Sequence, residues 1–358
     1  MTKVNKFKIT DPKQWSRMGP RAMFGQFMLE IAKTNNKLIV LSADLGRSSG
    51  LDRFKNQFPE KYLSVGISEQ NLIGVAAGLA KEGYKVFVTS FAPFLSMRAS
   101  EQVRMNLGYM NLPVNMVALG SGVSMGYLGN SHFGLEDIAI MRAIPNINIS
   151  SPADCGELGK ILYNYAFSNL GPSYIRLTGV PNSALVYDKD YNYEFKKFIT
   201  LKKGKDLLIL STGSMVTQSL KASQILDKEN INCEIINIHT LKPIDEEIVN
   251  LLKKFRKVAT IEEHSVIGGL GSIIAEKIAK HSINCHFLTI GLPDLFGPTG
   301  TYDYLTPPEE SENTARQIRG VVYIEMEDIG HFPMSENYPL FRVYLKEALR
   351  IIQERTGR

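Results

Sequence analysis

The sequence predicts an α/β protein of two domains, each a mainly parallel sheet with helices on both faces, and three observations lead there. Short runs that are apolar at every position alternate with segments whose apolar residues recur at helical spacing. That is the pattern of strands buried on both faces of a parallel sheet and of the helices that cover them. The alternation lapses once, over residues 181–203, and then resumes. With 358 residues, 44% of them hydrophobic, the chain holds more core than one small module needs. The division is expected at 1–186 and 187–358.

The first domain opens with a helix over 21–33 (RAMFGQFMLEIAK) feeding a buried strand at 37–42 (KLIVLS) that ends at Ala43-Asp44-Leu45-Gly46. A helix at 69–81, a strand at 85–90, a helix at 96–107 and a strand at 114–119 continue the alternation, and 146–150 and 174–177 supply two more strands. Residues 181–203 (PNSALVYDKDYNYEFKKFITLKK) gain charge and tyrosines, as a linker with an edge hairpin would. Beyond them, strands at 206–210, 233–238, 258–261 and 286–290 are separated by helices such as 215–228 and 271–279, which makes a second α/β unit.

Composition excludes several classes of function. Lys and Arg total 41 against 36 Asp and Glu, and the net +5 is spread along the chain, so neither a nucleic-acid nor a membrane-surface footprint is expected. The densest basic runs, Lys196-Lys197 and Lys202-Lys203-Lys205, flank an apolar strand and suit solvated gatekeepers better than a phosphate track. Cys155, Cys233 and Cys285 are few and far apart, which suggests neither a disulfide framework nor a zinc site. The polar start lacks a signal-peptide core and no run reaches the roughly 18 apolar residues of a membrane span. A cytoplasmic protein is expected.

The chemistry gathers in one ordered set. Gly66-Ile67-Ser68-Glu69-Gln70-Asn71 lies where a strand hands over to a helix, and Gly74, Ala76, Ala77 and Gly78 follow at a spacing that lets a neighbouring backbone approach. Thr89-Ser90-Phe91-Ala92-Pro93-Phe94 places two aromatics three apart just after a strand, and Gly129-Asn130-Ser131-His132 lies on a polar loop. Taken singly, each has an ordinary explanation: a first-turn acid favoured by the helix dipole, core aromatics, a solvated histidine. The combination is what stands out.

With GISEQN, AAGLAKEGYKVFVTSFAPF, HFGLEDIAIMR and GGLGS in this order between about residues 21 and 297, the chain resembles the transketolases, especially the split form whose C-terminal half is a separate polypeptide. The 1-deoxyxylulose-phosphate synthases and 2-oxoacid dehydrogenase beta subunits are more distant relatives. The resemblance implies a pyrimidine-binding domain of the thiamine-diphosphate-binding fold followed by a transketolase C-terminal domain. It also implies a two-carbon ketol transfer from a ketose donor to an aldehyde or aldose acceptor. Glu69 then matches the activating glutamate, a carboxyl buried among aromatics that shares a proton with N1′ of the aminopyrimidine. Phe91 and Phe94 match the stacking aromatics, and Met97 stands where transketolases carry a tyrosine, its thioether able to pack the ring face. His132 matches the substrate-loop histidine, Asp44 a residue near the cofactor, and Ser48 one near the substrate entrance.

Three departures shape the expectation further. The Gly-Asp-Gly motif and downstream Asn that hold magnesium and diphosphate are not in these 358 residues, so no metal ligand is assigned here. The resemblance implies instead an N-terminal partner subunit carrying them, in a heterotetramer. Where transketolases place a histidine, an aspartate and an arginine around a sugar phosphate, this chain has Gly120, Leu128 and Gly179. Arg176 is the candidate replacement, and at least one substrate other than an ordinary pentose phosphate is expected, a larger or differently anchored sugar such as a nucleotide-linked one. Finally, the tail from about residue 302 resembles the end of an α/β-hydrolase, with Asp303 and His331 as acid and histidine and Gly122-Val123-Ser124-Met125-Gly126 as a nominal nucleophile motif. Ser124 leads into Tyr127-Leu128-Gly129-Asn130, which breaks a helix, and this argues against hydrolysis. A 2-oxoacid-decarboxylating enzyme and a non-catalytic partner that keeps the fold are the competing readings.

Overall fold

The computed structural model describes residues 7–296 except Val180, Ser183 and Ala184, together with Arg350; Asp303 and His331 lie outside the described residues. The described residues fall into two units, 7–124 with 134–295, and 125–133 with Phe296 and Arg350.

In the first unit, α1 (Pro12–Ala32) precedes β1 (Leu38–Ser42), α2 (Asp52–Gln57), β2 (Tyr62–Ser64), α3 (Glu69–Lys81) and β3 (Lys85–Phe91). The helix α4 (Ser100–Gln102) is flanked by π-helical turns over Phe94–Arg98 and Val103–Tyr109. Then come β4 (Val114–Leu119), α5 (Asp137–Ala143), β5 (Asn148–Ser150), α6 (Cys155–Phe167) and β6 (Ser173–Arg176). The remainder is β7 (Ile199–Lys202), β8 (Leu207–Ser211), α7 (Met215–Lys228), β9 (Cys233–Asn237), β10 (Thr240–Lys242), α8 (Ile248–Leu252), β11 (Lys257–Ser265), α9 (Leu270–Lys280) and β12 (His286–Leu292). Helix α1 starts earlier than the periodicity predicts because Gly19, at φ 80°, lets the chain break and restart at Pro20.

Among the described residues seven strands form one sheet in the order β10-β5-β6-β4-β3-β1-β2, and five form another in the order β12-β11-β8-β9-β7. Pairing is parallel throughout except β10 on β5 and β7 on β9, so the two parallel sheets are as the sequence predicts. Every residue of β4 is buried, which requires cover on both faces. Leu72, Ile73 and Ala76 of α3 share a cluster with Val86, Val88 and Met116, and the cluster runs on through Leu208, Leu210 and Ile236 of the second sheet and Ile274 of α9.

Two features depart from the sequence reading. Strand β10 comes from far beyond residue 186 yet completes the first sheet, so the two halves share a strand ladder. Among its described residues the linker makes no hairpin: only β7 is regular, and the stretch before it is tied down side chain by side chain. Asp154 accepts from the amides of Val186 and Tyr187, and Glu157 accepts from the hydroxyls of Tyr187 and Tyr191 and from Asn237 Nδ2. Such local polar anchoring has no periodicity to betray it. The GGLGS motif also gains a structural explanation. Glu262 accepts from the amides of Leu270 and Gly271 at the start of α9, and a Cβ on Gly269 would lie 2.1 Å from its Oε2.

Burial pushes the His239 imidazole from its ordinary value of 6.5 down to about 4. A group held below its unfolded pKa contributes stability that is complete above pH 6.5 and lost as pH falls towards 4. Burial pushes Glu157 up, and its contribution has the opposite sense, present at low pH and lost as pH rises. Between pH 6.5 and 5 the wild type should therefore lose on the order of 2 kcal/mol more than H239Q, read as the difference in urea midpoints of the two proteins at each pH.

Candidate active site at the C-terminal ends of the parallel strands

Strands β2, β1, β3 and β4 lie side by side and parallel, so their outgoing loops line one edge of the sheet, the usual location for ligands in α/β folds. The loop after β2 turns at Gly66, φ 74°, and delivers Glu69 as the first residue of α3. There the positive end of the helix dipole favours an anion. Glu69 is 2% exposed. Its Oε1 accepts from Ser90 Oγ at 2.9 Å, and its Oε2 accepts from Arg98 Nη1 at 2.8 Å. Ser90 sits near the end of β3, next to Phe91, whose ring meets Phe94 edge to face at 5.9 Å and 87°. The Arg98 guanidinium carbon lies 4.1 Å from the centre of the Phe94 ring. A buried carboxylate beside an aromatic pair is thus assembled from three segments: the start of α3, the end of β3 and the π turn that follows.

Residues 17–179 match the family model of the transketolase pyrimidine-binding domain and residues 196–307 that of the transketolase C-terminal domain. A "Putative transketolase C-terminal section" from Methanocaldococcus jannaschii is 41% identical over 289 residues, 80% of this chain and 90% of that protein. The chain belongs to the transketolase family. Another relative, a 6-deoxy-6-sulfo-D-fructose transketolase subunit of Clostridium sp. (strain MSTE9), is 37% identical across 87% of this chain and 94% of its own length. A solved structure described as a split-gene transketolase in an inactive beta4 tetramer superposes with a TM-score of 0.71 at 37% identity, covering 78% of this chain and 90% of that one.

In this transketolase-family chain the predicted residues are distributed unequally. Glu69, Phe91 and Phe94 come together, and Met97 is exposed on the same π turn. Asp44 and Ser48 are exposed in the loop after β1, where Asp44 takes the left-handed conformation at φ 59°. His132 follows the 3-10 segment Gly126–Ser131 in the second unit, with Nδ1 2.9 Å from Ser131 Oγ. Ser124 sits after the bridged pair of residues 122 and 134 with its hydroxyl on Ser121 O, not between a strand and a helix. Among the described residues no group of three or more His, Cys, Asp and Glu side chains is placed to hold a metal ion, and no helix is long and apolar enough to cross a membrane.

The assignment of Arg176 to substrate is corrected by the structure. It is 1% exposed, with Nε on both oxygens of Asp137 at 2.9 and 3.1 Å and Nη2 on the carbonyls of Gly134 and Glu263 at 2.8 and 2.7 Å. Its charge serves as an internal strut because the last residue of β6 turns in to where α5 and β11 meet. Conversely, the sequence reading missed Ser90 and Arg98. Ser90 was visible as a polar residue inside an apolar strand, and Arg98 as a cation four residues after Phe94, one turn along the same face.

Replacing Asp137 with Ala strands the buried Arg176 charge. It should destabilise the fold by about 3–5 kcal/mol, seen as a lower urea midpoint, whereas the double variant D137L/R176M should recover a large part of the loss.

Proposed function

We propose that this chain forms the pyrimidine-side half of a thiamine-diphosphate site in a two-subunit transketolase that moves a two-carbon ketol unit from a ketose to an aldehyde or aldose. The observation that supports this most directly is the buried Glu69 carboxylate at the Phe91–Phe94 edge, held by Ser90 and Arg98. Those residues suit an aminopyrimidine ring: the aromatic pair offers a face, and Glu69 offers an oxygen with which to hold or share a proton at N1′. Bound there, the cofactor would supply the electron sink that side chains lack. The chain's own work is to bind the ring, fix its orientation and keep Glu69 away from water so that the shared proton stays at that edge. Beside this pocket Asp44 and Met97 would contribute to cofactor contacts and Ser48 to the sugar, while the role of His132 toward the sugar rests on the family motif alone.

A partner carrying the diphosphate-binding half and the magnesium ligands completes this reading, in a complex with two copies of each subunit. Support comes from the site's surroundings. Ile67, two residues before Glu69, is 78% exposed, and Tyr109, at the end of the second π turn, is 80% exposed. Gly74 and Gly78 have no neighbour within 4 Å of where a Cβ would stand, so that stretch of α3 is bare and able to receive another backbone closely. The sugar is a separate matter. Of the three positions of the usual phosphate clamp, one is Leu128 and two are glycines in left-handed conformations, Gly120 at φ 65° and Gly179 at φ 86°, and Arg176 is committed elsewhere. A donor or acceptor anchored differently from a pentose phosphate follows, such as a larger or nucleotide-linked sugar.

Co-expression with a subunit carrying the diphosphate half, followed by donor assays with ketoses and with pyruvate, tests this reading. Ketose turnover only in the complex supports ketol transfer, and turnover of pyruvate alone would replace it with 2-oxoacid decarboxylation. In the active complex E69Q should lower the rate about 100-fold or more while the variant still folds and assembles; retained turnover would remove Glu69 from the mechanism.

A further inference from the structure

Arg98 makes two contacts at once. It donates to the buried carboxylate of Glu69 at 2.8 Å and lays its guanidinium over the Phe94 ring at 4.1 Å. A planar cation stacked on an aromatic face and bonded at its edge to a carboxylate uses the same two surfaces that an aminopyrimidine ring would need here. Ser90 donates to Oε1, and Arg98 stands on the other oxygen.

The local backbone explains how an arginine reaches this place. The amide of Ala99 bonds back five residues to the carbonyl of Phe94 at 3.1 Å. This closes a π turn, a distortion frequent at functional sites, and it carries Arg98 round to the Phe94 ring. Gln70 Nε2 holds the Arg98 carbonyl at 3.2 Å, whereas the side chain is 47% exposed. The backbone is anchored and the side chain can swing.

We propose that Arg98 is a built-in stand-in for the aminopyrimidine, occupying its subsite in the cofactor-free chain, pairing the buried Glu69 charge, and withdrawing when the cofactor enters. This rests on the thiamine reading of the site. The physical consequence is a bias on cofactor affinity: a site competent for only a fraction of the time binds with its intrinsic constant weakened by that fraction. The pair is half solvated, so the bias is modest and reversible. Before assembly Arg98 leaves Glu69 with a cationic partner, which a lone buried carboxylate would lack.

The test titrates thiamine diphosphate with magnesium by calorimetry into the co-purified two-subunit complex carrying wild-type chain, R98M or R98K. R98M keeps the apolar stem and loses the planar cation, so it should bind roughly five-fold tighter, with R98K in between. The thermal midpoint of the free R98M chain should meanwhile fall by about 2 °C, because Glu69 has lost its cation. Equal affinity of wild type and R98M would overturn the stand-in role and leave the thiamine reading standing. Weaker binding by R98M would also overturn it and make Arg98 a residue that holds the cofactor. Absence of binding by the wild-type complex would overturn the thiamine reading and the stand-in with it. Should R98M fail to assemble, R98K decides alone: tighter binding supports the stand-in, and equal or weaker binding overturns it.

Discussion

The fold depends on a charge pair that water does not reach. Arg176 and Asp137 are both buried, and desolvating two ions costs several kcal/mol each, which their mutual attraction and further hydrogen bonds must offset. Tyr174 donates to Asp137, and Arg176 also donates to the carbonyls of Gly134 and Glu263. The last of these bonds crosses from the segment matched by the pyrimidine-binding model to the segment matched by the C-terminal model. Glu263 then reaches back through its carboxylate to the amide of Val123 and the hydroxyl of Ser214. Together with β10 in the first sheet and Lys242 on the carbonyls of Arg142 and Ile144, these contacts make the two α/β halves one body with a shared hydrophobic cluster.

That rigidity matters because the candidate site is only an edge. Its components follow successive strand ends of one sheet, so the ladder between β1, β2 and β3 sets where the start of α3 and the π turn after β3 begin. Catalytic geometry tolerates displacements of well under an ångström, and a half-site that meets another surface must bring its own half in final form. The exposed Ile67 and Tyr109 and the bare glycines of α3 would be a liability in an isolated monomer, yet they follow naturally if those surfaces are covered on assembly.

Most of the fold was legible because parallel strands and amphipathic helices declare themselves by period. Strand β4, α3 and α7 span the ranges that their apolar spacing predicts. What was not legible was set by contacts distant in sequence. Three residues at 240–242 carry no signal that they will join a sheet made of residues 38–176, and nothing in the linker announces that Asp154 and Glu157 will hold it. The site divides in the same way. Glu69, Phe91 and Phe94 could be named from the motif, but the burial of Arg176 could not. A cation on a strand end looks identical whether it turns out to solvent or in to a carboxylate that lies 39 positions away.

The buried glutamates offer an argument for the site that needs no family. Glu157 and Glu262 are both buried, and burial pushes both carboxyls up in pKa, but each is answered by groups with fixed positions. For Glu157 these are an amide, an asparagine and two tyrosines; for Glu262 they are the two amides that begin α9. Such carboxylates are structural, because removing any partner leaves a hole in a dry and rigid setting. Glu69 is as deeply buried, yet its charged partner is a half-solvated arginine on a distorted turn. A carboxylate completed by a group able to leave is not a finished piece of core. On the proposed reading it is the position at which a ligand would take the arginine's place on the Phe94 ring and on Oε2.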